Sequence, residues 1–401
     1  MGDRFDPWCK RLEGESSMYM GMKCAIIAAG LAVSTATAAQ QVVLLDFDSG
    51  NNGNINYTAA MRSDVQSMME AQWSMFDVSF TQTAPGGQFS RLTFNAGGAG
   101  GLAEQIDFRN LDHSDNAVIN IDGLGIAPSN YVASSANIGS HELGHLLGMR
   151  HRDSFGPIGS GSYGPIGAGP FNPNYPGPIG ADETQDHLMA TPAFGTPLSG
   201  IFTPNWLSER SAIKMEFAES GTVVAEAGGS NDSIGTAQAL NLGNMTVPNT
   251  IVSGDNAGIG DFSVDAISVT ADLTSGDTQD FYSFTANAGD LMNFEVMSRL
   301  IDQRIGDTID SMISILDSNG DFVDYYGTDA MNDDEIETTD SLILDLVIPA
   351  DGTYFVMVEA FSAGDTGGYE MFMSRFNGAV PAPSTAAVLA LGGVIATRRR
   401  R

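Results

Sequence analysis

The chain has 401 residues, too many for one ordinary domain. Hydrophobic residues make up 42% and charged residues only 17%, which lets two domains bury real cores and excludes a disordered chain. The formal net charge of −31 excludes nucleic acid and anionic membrane surfaces as partners, because both need clustered Lys and Arg, and it predicts a well-solvated acidic surface.

Residues 25–33, AIIAAGLAV, form a short apolar run after Met22 and Lys23, and Ala36-Thr37-Ala38 is an A-x-A cleavage site. This layout predicts a secretory signal peptide over 1–39, too short to be a transmembrane helix. Residues 1–21 are mixed in charge, unlike the start of such a signal, so Met18, Met20 and Met22 are alternative start sites. Cys9 and Cys24 both fall in this leader, so the mature protein is expected to have no disulfide or thiolate chemistry. Lys214 is the one lysine beyond it.

The run 42–47, VVLLDF, predicts a buried strand. Met61, Val65, Met68, Met69 and Trp73 recur at helical spacing and predict a helix within 57–76. Strands are expected at 78–80, 92–94, 102–108 and 118–121, with a glycine-rich turn at 97–101. A helix should then cover 131–147. This alternation describes a mixed sheet with helices packed on it. Residues 154–180 are dense in Gly and Pro, with Gly-Pro-Ile-Gly beginning at Gly156, Gly164 and Gly177, and predict a long loop. A last helix at 207–217 closes this part. Residues 221–230 read as a small-residue linker. From 231 to 377 the pattern is all-β, with short apolar alternations at 281–284, 312–316, 342–348 and 354–358 separated by Gly, Asp and Asn turns.

Three of the five histidines fall in one eleven-residue window, His141-Glu142-Leu143-Gly144-His145-Leu146-Leu147-Gly148-Met149-Arg150-His151. One helical turn separates His141 from His145, so both imidazoles face one ion. Glu142 is placed to act as general base without ligating. Gly148 lets the chain leave the helix in a left-handed conformation, and the turn returns His151 as a third ligand. Three protein ligands leave a fourth position open, which is the catalytic arrangement for zinc. His113 and His187 have polar neighbours and read as surface or turn residues.

This extended motif resembles the metzincin metallopeptidase signature. The resemblance covers residues 40–220 and implies an α+β catalytic domain, a bound Zn2+ and hydrolysis of peptide bonds in a protein or peptide substrate. It also implies a methionine-containing turn beneath the site. Asp186-His187-Leu188-Met189-Ala190 fits that turn, with Met189 as an apolar floor. Thr191 stands where some members carry a tyrosine, so no switch ligand is expected, and Asp153 follows the third histidine by two positions. A substrate strand is expected along a sheet edge near 102–108.

Residues 231–377 resemble the bacterial pre-peptidase C-terminal domain, through Asn231-Asp232-Ser233, Gly276 to Tyr282, Leu316 to Gly320 and Pro349 to Tyr354. That resemblance implies a jelly-roll-like sandwich. Asn231, Asp232, Asp277 and Asp280 offer hard oxygen ligands for Ca2+, and the same residues also suit loop capping. The acidic residues expected before the Asn-Asp pair are largely replaced by 227–230, with Glu226 further back. Residues 380–401 run from Val380-Pro381-Ala382-Pro383-Ser384 through an apolar stretch to Arg398–Arg401 and resemble a PEP-CTERM sorting signal, which implies a processing enzyme acting on the tail. The expected product is a secreted or cell-envelope zinc endopeptidase, monomeric and without a stable membrane span. The alternative from another class is a cell-surface adhesion protein whose sandwich binds protein or polysaccharide.

Overall fold

The computed structural model describes residues 40–155, 186–191, 198–227, 231–250, 260–335 and 338–376, and statements about the fold refer to these. The expected signal peptide, sorting tail and most of the Gly-Pro loop lie outside them.

The chain is a mixed α+β protein, largely β, with several sheets and few helices. Strands β1 (Gln41–Asp46), β2 (Val78–Thr81), β3 (Ser90–Phe94), β4 (Gly100–Ala103) and β5 (Asn116–Asn120) form one sheet in the order β2-β1-β3-β5-β4. All its pairings are parallel except that of β4, which runs antiparallel to β5 and ends the sheet. The strand expected over 102–108 therefore begins earlier and stops at Ala103. Gly100 and Gly101, the last two glycines of the expected turn, are its first residues.

Helix α1 (Ala59–Gln72) starts where the Thr58 hydroxyl accepts the Met61 N–H, and it buries Val65 and Met69. Helix α2 (Tyr131–Leu146) is buried along nearly its whole length. Small residues make that burial feasible. Gly139 lets Met69 and Phe94 approach, and polar side chains join the two helices: Trp73 Nε1 donates to Ser140 Oγ at 3.1 Å, and Gln72 Nε2 to Asn137 Oδ1 at 2.7 Å. Helix α3 (Glu209–Ser220) is capped by Ser208.

Residues 221–230 are not a bare linker. Val223–Ala225 form β6, paired in parallel with β9 of the following β-rich part. That part contains β7 (Gln238–Ala239), β8 (Gly243–Val247), β9 (Phe262–Leu273), β10 (Gln279–Ala286), β11 (Leu291–Met297), the short helix α4 (Asp302–Ile305), and β12 (Ser311–Leu316). The short strands β13 (Asp324–Tyr325), β14 (Thr328–Asp329) and β15 (Met331–Asn332) precede β16 (Leu342–Val347), β17 (Gly352–Ala360) and β18 (Gly367–Phe376). One sheet has the order β15-β12-β17-β10-β7. The other has the order β16-β11-β18-β9-β6, with β8 also paired to β9.

The second of these sheets is buried on both faces. Its strands alternate with period two. Ile267, Val269, Met371 and Met373 enter a core shared with the five-stranded sheet, whereas Val264, Ala266 and Phe372 enter the core of the α/β part. Phe372 lies 4.8 Å from the Phe217 ring of α3 and 5.2 Å from Phe108. One apolar core thus runs from β1 to β18.

Candidate metal and catalytic site

Helix α2 carries His141, Glu142 and His145, and the chain then reverses at Gly148. Its φ of +87° is left-handed, and a Cβ there would lie 2.5 Å from the Phe108 backbone, so the turn requires glycine on both counts. The reversal leads into a 3-10 turn over His151–Ser154.

The three imidazoles converge. Nε2 of His151 lies 3.1 Å from Nε2 of His141 and 3.2 Å from that of His145. The other ring nitrogens fix the tautomers: Nδ1 of His141 faces the Leu188 carbonyl at 2.6 Å, and Nδ1 of His145 faces the Met149 carbonyl at 2.9 Å. Each must carry its proton on Nδ1 to donate, which leaves Nε2 as a lone pair. Lone pairs aimed at one another at this distance fit a shared cation. The spacing also suits tetrahedral zinc, whose ~2.0–2.1 Å bonds to nitrogen set neighbouring donors about 3.3 Å apart. The group could hold a metal ion.

Glu142 is buried beside this group. Burial pushes its carboxyl up to about 8, with His151 and the Ala103 backbone acting in the opposite direction. Strand β4 passes directly over it: a Cβ on Gly101 would fall 2.2 Å from Glu142 Oε1. The next residue, Leu102, is 63% exposed on β4, the edge strand of the sheet among the described residues. Met189 is fully buried against the other side of the helix, where a Cβ on Gly144 would meet its Sδ at 2.4 Å.

His187 is not a surface residue. It is fully buried, faces the Ser154 carbonyl through Nδ1 at 2.7 Å, and packs edge-on to Trp206. Burial pushes its pKa down to about 4. His113 lies half-buried in a turn, apart from the three converging histidines.

A second cluster lies in the β-rich part. Carboxylate oxygens of Glu226, Asp277 and Asp280 gather within 4.8 Å. Buried oxygens of these three, and of Asn231 and Asp232, have no hydrogen-bond partner among the described residues. Burial raises Asp280 to about 7 and Asp277 to about 6, and neighbouring carboxylates add to both shifts. Asp280 also accepts the Tyr369 hydroxyl at 2.5 Å. An all-oxygen, anionic, unsatisfied set fits a hard cation. Glu226 was missing from the sequence-based set. It follows β6, in the stretch that read as a linker.

No protein-family model matches the chain, and no curated protein matches it. Among solved structures, the chain is similar to PliG from Aeromonas hydrophila, a periplasmic inhibitor of g-type lysozyme, at 16% identity, covering 27% of this chain and 85% of that one, with a TM-score of 0.20. The pre-peptidase C-terminal domain of a collagenase from Bacillus anthracis matches at 17% identity, 26% and 86% coverage, and a TM-score of 0.20. Myroilysin matches at 15% identity, 46% and 94% coverage, and a TM-score of 0.24. Scores this low establish no shared fold, so the functional reading rests on the site geometry. No helix among the described residues is long and apolar enough to cross a membrane.

Proposed function

We propose that the chain is an exported zinc-dependent endopeptidase of the metzincin type. The observation that carries this reading is the convergence of three imidazole Nε2 atoms beside a buried Glu142, under an open sheet edge. His141, His145 and His151 hold the metal, and bound zinc supplies Lewis acidity. Glu142 takes the proton of the attacking water on its carboxylate and returns it to the leaving amine. The edge strand β4 takes the substrate main chain as an added strand, and Gly101, which has no Cβ, lets β4 lie close against Glu142. Met189 and Gly148 shape the site without ligating. In the same reading, Glu226, Asn231, Asp232, Asp277 and Asp280 hold calcium. The leader directs export, and the 380–401 tail is the substrate of a sorting enzyme.

The test compares wild-type protein with Glu142→Gln on an unstructured protein substrate, with zinc content measured in both. Wild-type cleavage should fall by several orders of magnitude in the variant while one zinc per chain is retained. Equal cleavage in both removes Glu142 from the reaction. Zinc retained without any wild-type cleavage favours the adhesion reading.

A further inference from the structure

Of the three converging histidines, only His151 lies off helix α2. The residues on either side of it, Arg150 and Arg152, are fully buried and point into the β-rich part. Arg150 reaches Glu295 of β11 at 2.7 Å and Glu335 at 2.5 Å. The other oxygen of Glu335 meets Nε of Arg152 at 3.0 Å. One carboxylate thus bridges the two guanidinium groups that flank His151, and it comes from the loop between β15 and β16, some 180 residues downstream.

The same short turn is held from its own side by Asp153, which accepts the Arg150 N–H at 2.7 Å and pairs with Lys214 at 2.9 Å. Phe155, immediately after it, is buried in the sandwich core. His141 and His145 need no such help, because the helix sets their spacing and backbone carbonyls orient their rings. The third donor depends on contacts the catalytic half does not contain.

We propose that Glu335 is a positioning residue for His151, so that the β-rich part completes the metal site rather than hanging from it as a separate module. This deepens the peptidase reading and rests on the histidines being a metal site. The physical basis is geometric. A carboxylate that ion-pairs with two buried arginines draws both guanidinium groups to one point, and the residue between them has little freedom left.

The experiment uses the full chain and the variant Glu335→Gln, which keeps the side-chain shape and removes the charge. Asp345→Asn is the comparison: Asp345 pairs with Arg210 across the same boundary at 2.6 Å. Zinc affinity by chelator competition, the visible spectrum of the cobalt(II)-loaded protein, amide exchange and the thermal midpoint are read for both. Glu335→Gln should weaken zinc about tenfold or more and alter the cobalt spectrum, whereas Asp345→Asn should lower the midpoint and leave affinity within about twofold. In metal-free protein, amide exchange across 150–154 should rise in Glu335→Gln alone, with that of α2 unchanged. If Glu335→Gln lowers the midpoint but leaves zinc affinity and exchange at 150–154 unchanged, the proposal is overturned. Should Glu335→Gln not fold, Glu335→Asp, too short to bridge both arginines, must show the same pattern in milder form. Wild-type protein that holds no zinc sinks the peptidase reading, and the exchange measurement still decides the role of Glu335.

Discussion

Lys214 of α3 and Glu295 of β11 meet at 2.9 Å inside the protein, and the same ammonium lies 2.9 Å from Asp153. Burial opposes the charge on Lys214, but Asp153 and Glu295 outweigh it and hold its pKa above the ordinary lysine value. Lys214, the one lysine after Lys23, therefore lies in the boundary between the two halves. Removing one partner of a buried pair leaves an uncompensated charge and costs about 3–5 kcal/mol. Lys214→Met should lower the stability of the whole molecule by that order. With a continuous core beneath it, the protein should unfold in one calorimetric transition. Two separable transitions in the wild type, with only one moved by Lys214→Met, would contradict this coupling.

Gly144 and Met189 give a prediction about sign. In the wild type, a methyl group at 144 collides with the Met189 sulfur, and such overpacking costs about 1–3 kcal/mol. Once Met189 is shortened to Ala, the nearest remaining atom is the Met149 sulfur at 3.4 Å, an ordinary contact. The helix preference of alanine over glycine, up to about 1 kcal/mol, then dominates. Gly144→Ala should destabilise the wild type and be neutral or stabilising in the Met189→Ala background. Urea denaturation of the four proteins checks it, and the same sign in both backgrounds rejects the packing account.

What the sequence revealed was local. The i, i+4 histidines, the left-handed Gly148 and the alternating strands of the β-rich part depend on neighbours in the chain. What it concealed was set by distant contacts. His187 has polar neighbours in sequence but is buried against Trp206 and Ser154. Gly100 and Gly101 carry turn-forming composition, but they pair with β5, and Gly101 lies where a Cβ would strike Glu142. Glu226 lay in a small-residue stretch that pairs with β9 only once the sandwich exists. Glu295 and Glu335 had no local signature, since their partners lie far earlier in the chain. The convergence of the three histidines was thus legible, and the long-range ion pairs of the turn that carries His151 were not.

Acid should weaken the fold through His187. Its folded pKa, pushed down by burial to about 4, lies below the ordinary value of 6.5, and the Ser154 carbonyl only partly offsets that. Above pH 6.5 neither the folded nor the unfolded chain binds the proton, and the contribution is complete. As pH falls from 6.5 towards 4, the unfolded chain takes up the proton and the folded chain does not, so stability is lost. The slope approaches about 1.4 kcal/mol per pH unit, and the total reaches about 3 kcal/mol near pH 4. His187→Gln, compared with wild type by urea denaturation at pH 7, 5.5 and 4.5, should show a shallower loss. The three converging histidines are present in both proteins, so the difference isolates His187. Identical slopes would mean that His187 is not buried as a neutral group.

Calcium should stabilise the β-rich part, and through the shared core the whole chain. One buried side-chain oxygen each of Glu226, Asn231, Asp232, Asp277 and Asp280 has no hydrogen bond among the described residues, and the carboxylates repel one another. A cation that binds only the folded form relieves that repulsion and stabilises by mass action, about 2.7 kcal/mol at a hundred times its dissociation constant. Calcium accepts six to eight oxygens in flexible geometry, whereas magnesium demands a tight octahedron and keeps its water, so magnesium should substitute poorly. Thermal midpoints taken at constant zinc should therefore rise with calcium and much less with magnesium. Asp280→Asn should abolish the rise, because Asp280 is the fully buried member of the cluster. Asp317→Asn, altering an exposed loop carboxylate bound to the backbone of Asn319 and Asp321, should leave it intact. A midpoint indifferent to calcium in the wild type would leave the five residues as loop-capping groups, the other role their composition allowed.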